Sequence, residues 1–552
     1  VDAAGEYPGL VGLHNQARTV GTEASMKDDM SRARALVERL QAEPGLLPFP
    51  AADPQLVETH SSWVLLCGAD ALKIKKPVHM GFIDFSSKVR RDRFAREEIR
   101  LNRRVAPELY LGVLPITGTP EAPRFDGRGP LVETAVHMRQ FDPANQLDVL
   151  LERDGLTPGD MDELAAMIAG FQAGAPRAEP ADPWGRTDTV LEPIRENFRR
   201  IREAAADLTD LEPRLAALEA AGESRGRALA LRFAERRAGG FVREGHGDLH
   251  LGNLARTRWG IRAFDCLEFA PQLRWIDVVS DLAFLFTDLL DRGRGDLGWR
   301  LLNAWTDRTG DHAGLQLLPL YALYRIMVRV KVAALRRAQQ TGSGDRAGLE
   351  TRIRHHLEVA ERIHAGAEPG LVLMHGLSGS GKSRTATRLA ERLGAVHLRS
   401  DLERKRLLDA SAPESLYGAE ADALVYRHLE SLSQQLLAAG HRVIVDATLL
   451  RAEARERFVG VARRLDLPVA IVACEAPLEL LLDRVRQRAA VGTDPSDAGP
   501  DVVLRQRVRR QPPTADEADL VRLRGPERSD ENADVGAIET LFGSGRPGTA
   551  SA

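Results

Sequence analysis

Only three cysteines occur in 552 residues, Cys67, Cys266 and Cys474, far apart and each inside an apolar stretch. That spacing excludes a disulfide framework or a thiolate metal site and leaves buried thiols in a reducing compartment as the expectation. Charge of one sign is missing too: 76 basic residues face 79 acidic ones, a net of −3. The chain therefore carries no bulk field of the kind that draws nucleic acid or an anionic membrane. Aromatic residues are only 5%, too few for a basic stripe interleaved with stacking rings. The longest apolar runs, such as Val278 to Leu290, are broken by Asp and Ser and fall short of the ~20 residues a spanning helix needs. No basic end followed by an apolar stretch and a small-residue cleavage site opens the chain, so the expected compartment is the cytoplasm, with no membrane partner. Lysine is scarce, eight against 68 arginines. A lysine cluster therefore stands out, because a compact ammonium does work that a planar guanidinium does not.

What is present is ordinary globular composition, 43% hydrophobic and 28% charged, long enough for roughly three to four folding units at ~150 residues each. Residues 1–30 lack a sustained period and read as a flexible leader. Residues 31–140 carry strand-like runs at Ser62–Cys67, Ala71–Ile74 and Leu131–Met138, with a charged helix over 87–104, and predict a small α+β lobe. Residues 141–340 are mainly helical, with predicted helices over 161–173, 193–205, 214–237, 276–290 and 318–337. A Gly/Ser-rich break and a charged helix make 341–368 a connecting segment. Over 369–542, apolar strands at 371–375, 395–398, 442–446 and 468–473 alternate with helices, which predicts an α/β domain with a parallel sheet covered on both faces. The tail, 543–552, is too rich in Gly, Ser and Pro to pack. No internal repeat is visible.

The C-terminal domain contains one strong motif. The strand Leu371–His375 runs straight into Gly376-Leu-Ser378-Gly379-Ser380-Gly381-Lys382-Ser383 and a helix, which is GxxxxGK[ST] (a Walker A or P-loop) in its required context. Its glycines let backbone N–H groups converge on phosphate oxygens, Lys382 reaches the β and γ phosphates, and Ser383 holds Mg²⁺. Asp446, ending the strand RVIVD, is placed as the acid that orients the metal. Asp401, after the second strand, is placed as general base for an acceptor hydroxyl or as a helix N-cap. Arg484 and Arg488, one helical turn apart before the turn-rich GTDPSDAGP, are placed on the transferred phosphoryl group beneath a mobile lid, or on a solvated face. Residues 369–525 resemble the P-loop small-molecule and nucleotide kinases, the group of shikimate, gluconate and polynucleotide 5′-hydroxyl kinases. The resemblance implies phosphoryl transfer to a hydroxyl.

A second phosphotransfer signature lies upstream. Gly245-His246-Gly247-Asp248-Leu249-His250-Leu251-Gly252-Asn253 contains H-x-D-x-x-x-x-N, and Ala263-Phe264-Asp265-Cys266 follows. In kinase-like enzymes such an aspartate takes the acceptor's proton while the asparagine and the second aspartate hold metal. Asp248 is thus the candidate base and Asn253 and Asp265 the candidate ligands, expected to meet. This stretch resembles the aminoglycoside phosphotransferase and choline kinase group over 245–269, and more loosely over 55–340. Leu251 stands where that group usually has proline. A kinase-like fold also needs a lysine on the nucleotide phosphates and a glutamate to hold it. Period two puts Lys73 and Lys75 on one face of a strand, Lys73 being the first choice, and Glu98 the favoured partner over Glu97. No G-x-G-x-x-G precedes them; Thr59-His60-Ser61-Ser62 is the candidate phosphate cover.

The order of the halves, with ETHSSWVLLCGADALKIKKPV and LNRRVAPELYLGV, resembles the bacterial fusion family described as bifunctional aminoglycoside phosphotransferase and ATP-binding protein. The resemblance implies a two-lobed, protein-kinase-like α+β domain over 31–340 followed by an α/β P-loop domain, both using ATP and Mg²⁺. It does not imply aminoglycosides as substrates. A polycation needs an acidic lining, and the candidate acids Asp277, Asp281, Asp288 and Asp291 fall on one helix with some on its solvent side. The expected partner is a small-molecule hydroxyl acceptor, with nucleic acid left open only for the P-loop half and oligomeric state open. The alternatives are one catalytic half with a regulatory nucleotide sensor, and a non-enzymatic ATP-binding regulator.

Overall fold

The computed structural model describes residues 19–80, 83–340, 345–408, 418–491, 498–525 and 531–543. Packing divides the chain into two units, residues up to 143 together with 263–271, and residues 144–262 together with 272 onward. No described helix is long and apolar enough to cross a membrane.

In the first unit, helix α1 (Thr19–Ala42) precedes strands β1 (Gln55–Glu58), β2 (Ser62–Cys67) and β3 (Asp70–Lys75), helix α2 (Lys88–Asn102), and strands β4 (Tyr110–Thr119), β5 (Ala122–Arg124) and β6 (Leu131–Arg139). They form a sheet in the order β1-β2-β3-β6-β4-β5. Residues 19–30, expected as a loose leader, belong to α1. Ala33, Leu36, Val37 and Leu40 recur at helical spacing and are buried against Trp63, Leu65, Leu72 and Ile74. Each such leucine contributes about 1.5–3 kcal/mol by leaving water. Residues 1–18 lie outside the described residues. Strict alternation in β3 sends Leu72 and Ile74 into that core and Lys73 and Lys75 to the opposite face.

After a short helix over Leu147–Glu152, the second unit continues with helices α3 (Pro158–Gly174), α4 (Thr187–Ala204) and α5 (Glu212–Ala228). The single helix expected over 214–237 is two, since the chain breaks at Leu229 before a short helix over Ala230–Ala238. Strands β7 (Val242–Glu244), β8 (Leu254–Thr257), β9 (Gly260–Ala263) and β10 (Trp275–Asp277) follow, then α6 (Val278–Asp291), α7 (Gly295–Thr309), α8 (Leu318–Gln339) and α9 (Arg346–Ala365). β7 and β10 pair antiparallel, Glu244 opposite Trp275.

The same unit continues into the P-loop fold: β11 (Gly370–His375), α10 (Lys382–Leu393), β12 (Ala395–Arg399), α11 (Ser400–Leu407), α12 (Ala419–Ala438), β13 (Arg442–Asp446), α13 (Ala452–Arg464), β14 (Val469–Cys474), α14 (Leu478–Val491), α15 (Pro500–Arg509), β15 (Leu520–Arg524) and α16 (Glu531–Gly543). The sheet order is β12-β13-β11-β14-β15, all parallel. β11, β13 and β14 are buried almost throughout and apolar except at their ends, Arg442, Asp446 and His375, because helices cover both faces. α10 and α16 bury Leu389, Leu393, Ile538 and Phe542 against Val372, Ile444 and Val472. The connecting segment does not separate two independently packed bodies, because α7 is welded to the P-loop sheet. Asn303 donates to Ala395 O (2.9 Å) and accepts from His397 N (2.9 Å), and Arg300 bridges Asp162 and Glu391. The tail beyond Gly543 and residues 492–497 of the candidate lid, 492–500, lie outside the described residues.

Candidate active sites

In the first unit, β3 presents Lys73 to Glu98 of α2, Nζ to Oε1 at 2.9 Å, and to Asp265 Oδ1 at 2.5 Å. Burial alone would raise the Glu98 carboxyl, but Lys73 and Lys75 beside it hold it well below the usual range. Lys73 stays charged because Asp265 and Glu98 outweigh its own burial. Lys75 takes the second Glu98 oxygen (2.6 Å) and also pairs with Glu268. Asp265 itself sits at φ +64, a conformation costly for a residue with a Cβ and typical of functional positions. Its N–H donates to the Tyr110 hydroxyl (3.0 Å), and the next N–H, of Cys266, donates to Asn102 Oδ1 (3.0 Å). Thr59 to Ser62 form the tight turn joining β1 to β2, where Ser62 N donates to Thr59 Oγ1.

In the second unit the loop between β7 and β8 carries Asp248. Its backbone is held from α6: Asp281 accepts from His246 N (2.7 Å) and Gly247 N (3.0 Å), and Asp288 accepts from Leu251 N (3.0 Å). From α8, Arg325 donates to Gly247 O (3.0 Å). Gly247 needs its φ of +86, and at Gly245 a Cβ would lie 2.7 Å from Asp281 Oδ2. Asn253 Nδ2 donates to Asp248 Oδ2 (3.1 Å) and to Asp248 O (3.0 Å), which leaves its amide oxygen as a possible ligand. Burial pushes the Asp248 carboxyl up, but His250, whose Nε2 lies 3.5 Å from Oδ2, together with His246 and Arg329, holds it well below the usual range. The carboxylate is thus ionised.

The acids read as a possible polycation lining are committed elsewhere. Asp281 and Asp288 hold the loop, Asp288 also pairs with Arg329 (2.7 Å), and Asp277 is gripped by Arg236 at 2.6 and 2.9 Å. Asp291 meets His355 and His356. None of the first three lies on the solvent side; they are 4%, 1% and 3% exposed for Asp277, Asp281 and Asp288.

The P-loop runs from β11 to α10 as its motif requires. Gly376, Gly379 and Gly381 have φ of +150, +84 and +90. A Cβ at Gly376 would meet Cys474 O at 2.5 Å, whereas at Gly381 it would make only an ordinary 3.9 Å contact with Arg484, so that glycine is needed for its φ alone. Ser378 N is held by Gln506 Oε1 of α15 (2.9 Å), and the Ser380 hydroxyl is buried without a hydrogen bond among the described residues. Asp446 lies at the carboxyl end of β13, where the Ser383 hydroxyl and Lys382 reach it and His397 Nε2 of β12 donates to its Oδ2 (3.3 Å). Burial would raise its carboxyl, but His397, Lys382 and Ser383 hold it down to about 2. Its Oδ1 is buried with no partner among the described residues. A bare anionic oxygen beside a hydroxyl suits a hard divalent cation such as Mg²⁺. Asp401 is half-buried in the first turn of α11; the N-cap position belongs to Arg399, so the capping role does not apply. Arg484 reaches the loop, donating to Gly379 O (3.1 Å), while Arg488 donates to Ala498 O (3.1 Å) instead.

The structure thus gathers Lys73, Glu98 and Asp265 in one unit, and in the other Asp248 with Asn253, and Lys382, Ser383 and Asp446 with the P-loop glycines. Sequence reasoning passed over Tyr110, Glu268, His397 and Gln506. His397 alone had a local signal, a polar residue two positions before the end of an apolar strand.

Residues 371–513 match the AAA domain family (AAA_33). An uncharacterized protein of Mycobacterium tuberculosis, Rv2004c, is 31% identical over 449 residues, 79% of this chain and 86% of that one. Among solved structures, choline kinase from Cryptosporidium parvum covers 60% of this chain and 95% of its own at 12% identity, with a TM-score of 0.38. A gluconokinase from Sinorhizobium meliloti covers 32% and 92% at 18% identity, with a TM-score of 0.25.

Proposed function

The chain belongs to the family of the uncharacterized Mycobacterium tuberculosis protein Rv2004c, and we propose that it is an ATP- and Mg²⁺-dependent phosphotransferase with two nucleotide sites, acting on small-molecule hydroxyls. The supporting observation is one arrangement built twice, a lysine beside an acid able to hold a metal: Lys73 with Asp265, and Lys382 and Ser383 with Asp446.

In the first unit Lys73, fixed by Glu98, binds nucleotide phosphate and Asp265 offers an oxygen to metal; in the second unit Asn253 keeps its amide oxygen for metal. Asp248 accepts the acceptor hydroxyl's proton as that oxygen bonds to the γ-phosphorus and the bond to the β–γ bridging oxygen breaks, releasing ADP. In the P-loop half, backbone N–H groups of 376–383 and Lys382 bind phosphates, Arg484 steadies the loop and Asp401 is the candidate base. Bound Mg²⁺ neutralises phosphate charge in both halves. Labelled-ATP transfer into a metabolite extract, run on wild type, Asp248→Ala and Lys382→Ala, tests the reading. Each variant is expected to lose a different product, and undiminished labelling in both would refute it.

A second reading, in which one half senses nucleotide for the other, has one observation in its favour. Asn303 of α7 holds the backbone at His397, and the His397 ring holds Asp446, so the helical lobe touches the metal-binding acid through a single residue. Under that reading Asp248→Ala and Lys382→Ala each abolish the same transfer, and Asn303→Ala uncouples them.

A further inference from the structure

Asp291 ends α6, and its surroundings differ from those of the other acids of that helix. Asp277 is gripped by Arg236, Asp288 by Arg329, and Asp281 by the N–H groups of the loop carrying Asp248. In a chain so rich in arginine, Asp291 pairs with no arginine or lysine among the described residues; two consecutive histidines of α9 meet it instead. His356 Nδ1 lies 2.8 Å from Asp291 Oδ1, and His355 Nε2 lies 3.4 Å from the same oxygen. His355 Nε2 is also 3.0 Å from the Asp291 carbonyl oxygen, one of the last carbonyls of α6, which find no partner within their own helix. One ligand atom from each of the three side chains falls in a cluster no more than 4.8 Å across. The arginines next in sequence are engaged elsewhere: Arg292 pairs with Glu152 and Asp288, and Arg354 with Asp210.

We propose that Asp291, His355 and His356 form a transition-metal site, with Zn²⁺ as its ion, that staples the connecting helix α9 to the end of α6. Two imidazoles and one carboxylate are a donor set that suits Zn²⁺, whereas Mg²⁺ and Ca²⁺ take oxygen ligands. Ligand atoms about 2.0–2.2 Å from a tetrahedral Zn²⁺ stand roughly 3.3 Å from one another. The separations of 2.8 and 3.4 Å from Asp291 Oδ1 lie on either side of that value, and the two imidazole nitrogens stand no more than 4.8 Å apart, within reach of a small ring rotation. The carboxyl end of α6 also carries the negative end of its dipole, which favours a cation there. Asp291 and His356 are 11% and 15% exposed, and His355 is 47% exposed, so one side of the site stays open and water takes the fourth position. α6 holds the loop carrying Asp248, and α9 leads into β11 and the P-loop, so the ion joins two elements that support different sites. The site uses no nucleotide and stands apart from the phosphotransferase reading.

The test reads the histidines themselves. The full chain, stripped of metal and dialysed into buffer with millimolar Mg²⁺ and no nucleotide, is treated with diethyl pyrocarbonate near pH 7 while Zn²⁺ is titrated in, and modification of each histidine is followed by mass spectrometry. At about ten times its dissociation constant Zn²⁺ is expected to slow modification of His355 roughly tenfold. His364, exposed on the same helix, should react at an unchanged rate. Co²⁺ in place of Zn²⁺ is expected to give the strong visible absorption of a four-coordinate ion, at one equivalent per chain, and His355→Ala and Asp291→Asn should each lose it. His355 is the exposed member of the three, so His355→Ala should keep the metal-free urea unfolding midpoint of wild type while losing the rise that Zn²⁺ gives wild type. Equal modification of His355 with and without Zn²⁺, or a cobalt spectrum that survives in both variants, would overturn the proposal.

Discussion

Asp281→Asn probes how the loop carrying Asp248 is held. The carboxylate is 1% exposed and accepts from His246 N and Gly247 N at 2.7 and 3.0 Å. Asparagine keeps the shape but offers one oxygen, so one of the two backbone N–H groups faces an NH₂ donor. A charge-assisted hydrogen bond is worth about 1.5–3 kcal/mol, and an unsatisfied buried donor costs about 1–3 kcal/mol. Relief from burying a charge offsets part of this, so the expected loss of stability is ~2–3 kcal/mol. Asp248 is one residue beyond the loosened pair, and a displacement of about 1 Å at a reacting group costs roughly a hundredfold in rate. Urea unfolding followed by tryptophan fluorescence, with Trp275 and Trp305 reporting on the same unit, measures the first effect, and turnover in a Lys382→Ala background the second. An unfolding midpoint and a turnover both equal to wild type would refute the idea that α6 sets the loop.

Further predictions concern other charges. Lys73→Met should abolish nucleotide binding in the kinase-like half while leaving the P-loop half's affinity unchanged, read by titration of each single-site variant. Lys331→Met should stabilise the protein by ~1–2 kcal/mol near pH 7, since the folded state depresses that lysine from 10.5 to about 8. The unfolded chain binds more protons between those values, so wild-type stability rises from pH 8 to 10.5 and the variant's advantage should vanish by about pH 10; an advantage that persists there would contradict the assignment. Glu403 is gripped by His312 and His428, both at 3.1 Å, which with Arg406 hold its carboxyl well below the usual range despite burial. Its contribution is present above the unfolded value near 4.5 and lost as pH falls, so Glu403→Gln should be less stable at pH 7 and flatten the acid limb of a stability profile.

The parts of the sites that a linear reading recovered are those built locally. The P-loop glycines, Lys382 and Ser383 lie within eight consecutive residues, Asp248 and Asn253 within six, and alternation in β3 alone puts Lys73 and Lys75 on one face. Glu98 followed from its place just before the apolar Ile99. The acids of α6 were misjudged because helical spacing puts some of them on a solvent side, whereas other helices cover that side and Arg236, Arg329 and the loop backbone consume the charge. Tyr110 and Asp265 stand 155 residues apart, and His397 meets Asp446 only because β12 lies beside β13. No periodicity encodes such pairings. The helix over 19–30 was hidden by a polar run that gains its order from Leu36 and Leu40 further along, and β15 by an arginine-rich, half-exposed sequence at the sheet's edge.

The central claim is that one chain carries two separate nucleotide centres. Equilibrium dialysis of the purified protein against a labelled non-hydrolysable ATP analogue with Mg²⁺ tests it most directly. The account predicts two bound nucleotides per chain, falling to one in Lys382→Ala, one in Lys73→Met and none in the double variant. A single nucleotide per wild-type chain, lost entirely in either variant, would contradict it.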